Sequence, residues 1–333
     1  MGRCGWMAGG GRGNAAAGAL ATLFVVFTAL PAAEPAPAAP PQAAAAPAAA
    51  VVPRPSGQSS FTFRFRPPDG LEYVQIVRTV RVQDMGPLGS QTERSVARAS
   101  MRVARTPEGY TVTGRPISFT MSRDGREVRE PLVEALQGAV ITYRLDPDGK
   151  LLGIEGFDGL LDAVADRIPM QAGSLAPLLD ARVLTDRETA EWNGRIGSFI
   201  GRTVRIGDAW QDRAPYTLPN GEDLEYFSAT SFPRVEACGQ PTCLLVEVSY
   251  STDPTALAGR SGRTQGAPPG PATGPGAISS SEVSGAARRL IEPGSMRIHS
   301  ESTSRTIRMH IELPGRGSVP MTLTETRDYA FEY

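Results

Sequence analysis

The sequence predicts a mainly β, α+β protein: a large curved antiparallel sheet or half-barrel with two to three helices packed on it. Three observations predict this fold. Phe61, Phe63 and Phe65 alternate with polar residues, which is the period-two pattern of a strand with one face in water. The turn-forming stretches 106–109 and 146–149 each separate two such strands and predict hairpins. The middle of the chain instead carries apolar residues at helical spacing.

Two helices are predicted in the segment 156–202. Phe157 begins the first, a run of apolar residues spaced three and four apart. Thr185 and Glu188 have the spacing of a capping box, so we expect the second helix to begin there and to run to about Ile200. Helices within a long antiparallel set favour a sheet that curves around them.

The N-terminal residues 1–33 have the three-part pattern of a secretory signal peptide: basic residues, an apolar run and then small residues. The apolar run is short for a transmembrane helix, which needs about 20 residues. We therefore expect cleavage and a periplasmic or secreted protein, with membrane association only where the segment stays uncleaved. Residues 34–58 are rich in Ala and Pro and predict a disordered linker.

Residues 59–333 predict a β-rich exported domain. Its two strand-rich halves, about 59–155 and 203–333, are joined by the helical segment 156–202. A stretch of about 258–284 is rich in Gly, Pro, Ala and Ser and predicts a disordered insert between strands. Whether the two halves form one continuous sheet or two is left open by the sequence.

The charges nearly cancel, with 34 Lys and Arg residues against 35 Asp and Glu residues. Nucleic acid is therefore not an expected partner, because binding to a polyanion depends on an excess of positive charge. Lys150 is the one lysine in a chain with 36 Gly and 29 Pro residues. This composition is typical of a high-GC bacterial genome.

Cys238 and Cys243 flank a short turn between two apolar runs, so their thiols should face each other across the mouth of a hairpin. A disulfide is expected there in an oxidising compartment, where it would pin the hairpin. The alternative is a redox-active or metal-binding pair. The spacing is not C-x-x-C and no further ligand is near in sequence, which disfavours that alternative.

No catalytic or metal motif stands out, and we expect no cofactor. Asp158, Asp162 and Asp166 form one stripe along a helix, as on a solvated face, rather than two carboxylates converging across a cleft. The two histidines, His299 and His310, lie in late strands without a G-x-S-x-G nucleophile motif. The D-x-D-G stretch at 146–149 runs straight into a strand, so it predicts a hairpin turn and not a calcium loop.

Aromatic side chains are the candidate binding residues. A curved sheet leaves an apolar cavity on its concave side, where large aromatic residues supply most of the contact area. The residues expected to line this groove are Phe61, Phe63, Trp192, Phe199 and Trp210.

A D-x-D-G-K hairpin at 146–150 leads into the helices. A V-G-D-x-W-like element then opens the second strand-rich half; it consists of Val204, Ile206, Gly207, Asp208 and Trp210. In this layout the chain resembles a loose set of uncharacterised bacterial exported β-rich proteins. The resemblance implies an exported, strand-rich architecture and carries no assigned activity.

The function expected from the sequence is that of a non-catalytic exported envelope protein. It would bind a hydrophobic ligand, such as a lipid, or another envelope component through a concave β-sheet. The alternatives are a secreted hydrolase of unknown substrate and a purely structural or assembly protein. A binder needs an apolar cavity, a hydrolase needs polar side chains converging in a cleft, and a structural protein needs a filled interior.

Overall fold

The computed structural model describes residues 59–129, 134, 138–167, 180–217, 223–239, 242–252, 278–313 and 317–333. The expected signal peptide and linker lie outside these residues, as does the part of the expected insert before residue 278. Within the described ranges, no helix combines the length and the apolar character needed to span a bilayer.

Strands make up most of the described residues. Their bounds are β1 (Ser60–Thr62), β2 (Glu72–Asp84), β3 (Ser90–Thr106), β4 (Gly109–Arg123), β5 (Arg126–Val128), β6 (Ile141–Leu145), β7 (Leu151–Glu155), β8 (Thr203–Arg205), β9 (Ala209–Thr217), β10 (Asp223–Ala237), β11 (Thr242–Ser251), β12 (Ile278–Ile291), β13 (Ile298–Leu313) and β14 (Gly317–Glu332).

Twelve of these strands form one antiparallel sheet. Its order is β7-β6-β4-β3-β2-β14-β13-β12-β11-β10-β9, and β5 also pairs with β4. The two halves of the chain meet where β2 pairs with β14, with Val77 opposite Tyr329. The ends of the sheet, β7 and β9, are not joined. The prediction of a mainly β protein with one large antiparallel sheet is confirmed.

The expected hairpin turns are present. Thr106 pairs with Gly109 at the end of the β3–β4 hairpin. Between β6 and β7, Asp146 Oδ1 accepts hydrogen bonds from the backbone N–H groups of residues 148 and 150, at 2.9 and 2.8 Å. Gly149 has a φ of +92°, and a Cβ there would lie 2.1 Å from Cβ of Phe65, so only glycine fits.

Besides a 3₁₀ turn at Gly86–Leu88, two α-helices have their bounds within the described residues, one longer than the other. Helix α1 spans Leu160–Arg167 and helix α2 spans Ala181–Trp192, after which Asn193–Gly197 form one π-helical turn. The predicted start of the second helix was wrong. Its N-cap is Asp180, whose Oδ1 accepts from the N–H groups of residues 182 and 183 at 3.0 and 3.1 Å. Thr185 lies inside α2 and donates its hydroxyl to the carbonyl of residue 181.

The first phenylalanine-rich stretch leaves the main sheet. β1 pairs with β8 in a separate two-stranded sheet, and its ladder ends at Thr62. The predicted alternation nevertheless continues, because Phe63 and Phe65 are buried while Arg64 and Arg66 are exposed. At the other low-complexity site, residues 278–284 of the expected insert lie in β12.

Helix α2 and the π-helical turn after it are together called the α2 region. The face of the main sheet that contacts this region is called the inner face. Tyr143 of β6 stacks on Trp192 at the end of α2, and Glu301 of β13 is hydrogen-bonded to Arg195 in the π-helical turn. Most of the buried apolar residues belong to one cluster that includes residues of this face, of α2 and of the segment after β1. The inner face is therefore where the core and any enclosed site must lie.

Candidate functional site

Phe63, Phe199 and Trp210, three of the residues expected to line a groove, pack together with Phe232 of β10. The ring centroid of Phe63 lies 5.5 Å from that of Phe199 and 5.8 Å from that of Phe232. Trp210 packs on Phe232 at 5.0 Å, and the guanidinium of Arg202 covers the Trp210 ring at 4.5 Å. The three phenylalanines are at most 2% exposed. These rings form part of the packed core.

Phe61 and the V-G-D-x-W-like element lie beside this cluster. Phe61 is partly buried and sits on β1 opposite Val204 of β8. Asp208 Oδ2 accepts a hydrogen bond from the N–H of Arg205 at 2.8 Å, and Gly207 has a φ of +90°. The element therefore forms the turn that directs Trp210 into the core.

Trp192 is the residue of the expected groove set that lines a cavity. Its ring stacks on Tyr143 at 5.6 Å and meets the edge of Phe65 at 5.9 Å. The cavity has a volume of about 60 Å³ and lies between the α2 region, β2, the end of β14 and the β12–β13 connection. Its walls are mainly apolar or aromatic and include Phe65, Leu71, Tyr73, Ile196, Met296 and Phe331.

Two arginines and a glutamine bring polar groups into these apolar walls: Arg195, Arg297 and Gln75. The guanidinium of Arg297 lies 4.0 Å from the ring centroid of Tyr333, within the range of a cation–π contact. Arg297 Nε and Trp192 Nε1 are buried N–H donors without an acceptor among the described residues. The cavity therefore combines apolar walls with hydrogen-bond donors that are not satisfied.

Arg195 belongs to a buried charged triad with Glu301 and Arg289. Arg195 Nε donates to Glu301 Oε2 at 2.7 Å, and Arg289 Nε donates to Glu301 Oε1 at 2.6 Å. The side chains of Arg289 and Glu301 are both 0% exposed. Burial alone would raise the pKa of Glu301, but the two guanidinium groups outweigh it and hold that pKa below its usual value. Two cations thus share one carboxylate, and Nη1 and Nη2 of Arg289 have no acceptor among the described residues.

A second charged cluster lies farther along the inner face, centred on Glu325 of β14. Glu325 is within 2.6 Å of Arg81 and Arg327 and within 3.2 Å of Arg305. These guanidinium groups overcome the effect of burial and lower the pKa of Glu325. Here too the arginines outnumber the carboxylate at their centre, and one of them, Arg81, also pairs with Glu93 at 3.6 Å.

Glu188 of α2 is a buried carboxyl group in the opposite electrostatic situation. Burial and the nearby Glu191 raise its pKa well above the usual range. The hydroxyl of Tyr143 donates to Glu188 Oε2 at 2.7 Å. Neither glutamate lines the cavity, so this pair belongs to the contact between α2 and the sheet.

The charged groups in the lining of the cavity are the guanidinium groups of Arg195 and Arg297. None of the described residues that line it is a histidine, cysteine, aspartate or glutamate. Guanidinium and indole N–H groups bind anions and hydrogen-bond acceptors.

The expected disulfide between Cys238 and Cys243 is confirmed. The structure also brings His299 to this cystine: one ligand atom of each of the three residues lies within 4.8 Å of the others. Glu292 Oε2 lies 3.8 Å from His299 Nε2. Burial and the charge of Arg297 lower the pKa of His299, against the opposing effect of Glu292. Sequence spacing had shown no third or fourth group near the cystine.

A larger cleft of about 510 Å³ lies beside α1. Its lining consists mainly of small residues, including Gly138, Gly156 and Gly159, together with the exposed carboxylates of Asp158 and Asp166. The predicted acidic stripe thus lies on an exposed surface. The lining of this cleft is about equally polar and apolar, whereas the lining of the smaller cavity is mainly apolar.

No protein-family model matches the chain, and no curated protein matches it in sequence. Among solved structures, one of lipid–protein interactions in lipovitellin aligns with 81% of this chain and 25% of its own, at 10% identity and a TM-score of 0.40. The chain thus spans about a quarter of the lipovitellin chain. An exported protein with a YmcC-like fold from Bacteroides fragilis aligns with 79% of this chain and 97% of its own, at 10% identity and a TM-score of 0.21. DynF of the dynemicin biosynthesis pathway of Micromonospora chersina aligns with 86% and 92%, at 9% identity and a TM-score of 0.19. Likenesses at this level carry no argument about function.

Proposed function

We propose that this protein is a non-catalytic, exported carrier of an amphipathic anion, meaning an apolar molecule with one acidic group. The observation that carries this proposal is the cavity on the inner face, where Arg195 and Arg297 lie among aromatic and aliphatic side chains. An apolar lining with a few placed polar groups is the usual composition of a small-molecule site.

The sheet in this proposal is a half-barrel, and its inner face curves around the ligand. Phe65 packs on Tyr110 of β4 with ring centroids 5.4 Å apart, and Phe63 packs on Phe232 of β10 at 5.8 Å. Seven strand-to-strand steps separate β4 from β10, which is about 34 Å in a flat sheet at about 4.8 Å per step. Two residues of extended chain span only about 7 Å. A curved sheet explains how Phe63 and Phe65, which are two residues apart, reach β10 and β4 respectively.

The charge of the ligand follows from the arginines. In the triad, Arg195 and Arg289 share the single carboxylate of Glu301. Arg297 and Trp192 add buried N–H donors without acceptors among the described residues. A buried unsatisfied donor costs about 1–3 kcal/mol, so an acidic group that accepts these hydrogen bonds would recover that free energy.

The shape of the ligand follows from the cavity volume. About 60 Å³ is the space of roughly two water molecules at about 30 Å³ each. The cavity therefore suits an acidic head group, while the apolar body of the ligand lies against the outer part of the lining. Tyr333, which lines the cavity and is 46% exposed, marks its mouth.

Export is supported by the cystine. Disulfides persist in oxidising compartments such as the periplasm and are rare in the cytosol. Together with the predicted signal peptide, the Cys238–Cys243 bond favours an extracytoplasmic carrier that acts near the envelope.

Fluorescence quenching tests the proposal, because Trp192 lines the cavity while Trp210 lies in the packed aromatic cluster. In a W6F/W210F protein, Trp192 is the one remaining tryptophan. A brominated fatty acid, which quenches by contact, should quench Trp192. In the matched W6F/W192F protein, Trp210 should be quenched far less.

The charge requirement is tested with the same reporter. R297Q should weaken binding of the brominated fatty acid by about 10- to 100-fold, which is the loss of a hydrogen bond to a charged group. Binding of the corresponding fatty alcohol should change little. Arg308 is 60% exposed on β13, so R308Q is the control. Absence of quenching, or equal affinity for the acid and the alcohol in the unaltered protein, would count against the proposal and favour a structural role.

A further inference from the structure

The cystine lies in a cluster of potential metal ligands that the proposed carrier function does not use. Cys243 is on β11 next to Leu244, which pairs with Ile291 at the end of β12. Ile291 in turn pairs with Ile298 at the start of β13. The register of three strands thus brings residues 292 and 299 to the end of the sheet that carries the disulfide.

Three donor atoms converge there. One ligand atom each of Cys238, Cys243 and His299 lies within 4.8 Å of the other two. Thiolate and imidazole ligands at about 2.0–2.3 Å from a tetrahedral zinc ion are themselves about 3.3–3.8 Å apart. Because the sulfur atoms separate on reduction, a small adjustment of side chains brings all three to that spacing.

A carboxylate oxygen lies beside the histidine of this cluster. Glu292 Oε2 is 3.8 Å from His299 Nε2, too far for a hydrogen bond. Both atoms are buried, and neither has a hydrogen-bond partner among the described residues. A carboxylate beside an imidazole is the usual arrangement in zinc sites, where it ligates the metal or orients the histidine.

We propose that the reduced form of this protein binds a thiophilic divalent cation, Zn²⁺ or a close analogue, through Cys238, Cys243 and His299, with Glu292 completing or orienting the site. The disulfide is the oxidised form, which is unable to bind the metal. The cystine then serves as a redox-controlled metal site in addition to pinning the hairpin.

The chemistry balances with a dithiol as reductant. The dithiol gives two electrons and two protons to the cystine, its own sulfurs form a disulfide, and the Cys238–Cys243 bond is cleaved. Zn²⁺ then displaces the two thiol protons. Two thiolates neutralise the dication, and the neutral imidazole adds a lone pair without further charge.

Cobalt titration of the full chain tests this proposal. After reduction with a phosphine in the absence of oxygen, Co²⁺ should bind at one equivalent. It should give the thiolate charge-transfer band and the strong visible bands of a tetrahedral site, and Zn²⁺ should abolish both. The oxidised protein should give no such spectrum. Tm of the reduced protein should rise with Zn²⁺, because the metal binds the folded state.

Variants separate the full site from a simple dithiol. H299N and E292Q should each weaken Co²⁺ binding at least about 10-fold, the usual effect of losing a ligand or its orienting partner. H310N is the matched control, since His310 is the other histidine of β13 and is exposed. No tetrahedral spectrum after reduction, no rise of Tm with Zn²⁺, or an H299N protein that binds as tightly as the unaltered one would overturn the proposal.

Discussion

Replacing Glu301 by glutamine should strongly destabilise this protein. The substitution keeps the size and shape of the side chain but removes its negative charge. In the native structure, that charge lies between Arg195 and Arg289, whose Nε atoms donate to it at 2.7 and 2.6 Å. E301Q therefore leaves the fully buried Arg289 and the largely buried Arg195 without a counter-charge.

The expected magnitude follows from the burial of the triad. The side chains of Glu301 and Arg289 are 0% exposed, and removing one partner of a buried ion pair costs about 3–5 kcal/mol. The loss of two charge-assisted hydrogen bonds, at about 1.5–3 kcal/mol each, gives a similar figure. We expect E301Q to lower the free energy of unfolding by about 3–5 kcal/mol.

Urea unfolding followed by circular dichroism measures this loss as a shift of the midpoint at constant m. The control is E332Q, which removes an exposed pair: Glu332 and Arg98 are 56% and 42% exposed and 3.1 Å apart. Such surface pairs contribute about 0–1 kcal/mol. If E301Q cost no more than E332Q, the triad would not stabilise the fold as described.

The pH dependence gives a second readout of the same triad. The guanidinium groups hold the pKa of Glu301 below its usual value, so the unfolded chain takes up a proton first as the pH falls. The stabilisation is present above about pH 4.3, the ordinary pKa of glutamate, and is lost as the pH falls towards the folded value. Stability of the unaltered protein should therefore decline in acid, and E301Q should decline less steeply.

Three further predictions concern other parts of the fold. G149A should lower the free energy of unfolding by about 2–5 kcal/mol, because the new Cβ meets the side chain of Phe65 in addition to the strain of positive φ. The control G125A, at a φ of +78° with open space around it, should cost about 1 kcal/mol. Equal losses for the two variants in urea unfolding would contradict this. Replacing both Cys238 and Cys243 by serine should lower the free energy of unfolding by about 2 kcal/mol, because a bond between residues five apart closes a short loop. A loss well above this would mean that the cystine stabilises more of the fold than its own hairpin. Because the pKa of Glu188 is raised, stability should fall as the pH rises above about 4.3, the ordinary pKa of glutamate, and E188Q should reduce that fall. An unchanged Tm profile would show that Glu188 is not protonated in the fold.

The sequence pattern predicted strands and turns well because these depend on neighbouring residues. The alternation around Phe63 and the Asp146–Gly149 turn have the predicted burial and hydrogen bonds. The start of α2 was misplaced because Asp180 and Thr185 are both favoured N-cap residues. Only the tertiary structure shows that the helix already includes Thr185.

The site was harder to predict because alternation identifies a strand without showing which of its faces is covered. On β2, Gln75 and Thr79 are buried on the inner face, while the apolar Val80 on the other face is only partly buried. Arginines and glutamates at alternate positions have the pattern of a solvated face. The meeting of Arg195 with Glu301 depends on strand order, which no local pattern contains.

Native mass spectrometry of the protein purified from the periplasm of a bacterial host tests the carrier function most directly, with lipid analysis of an organic extract of the same preparation. We predict a one-to-one complex with an amphipathic acid, and loss of that complex in R297Q. A mass without ligand that stays unchanged after incubation with a membrane extract would contradict the carrier function and favour a role in envelope assembly.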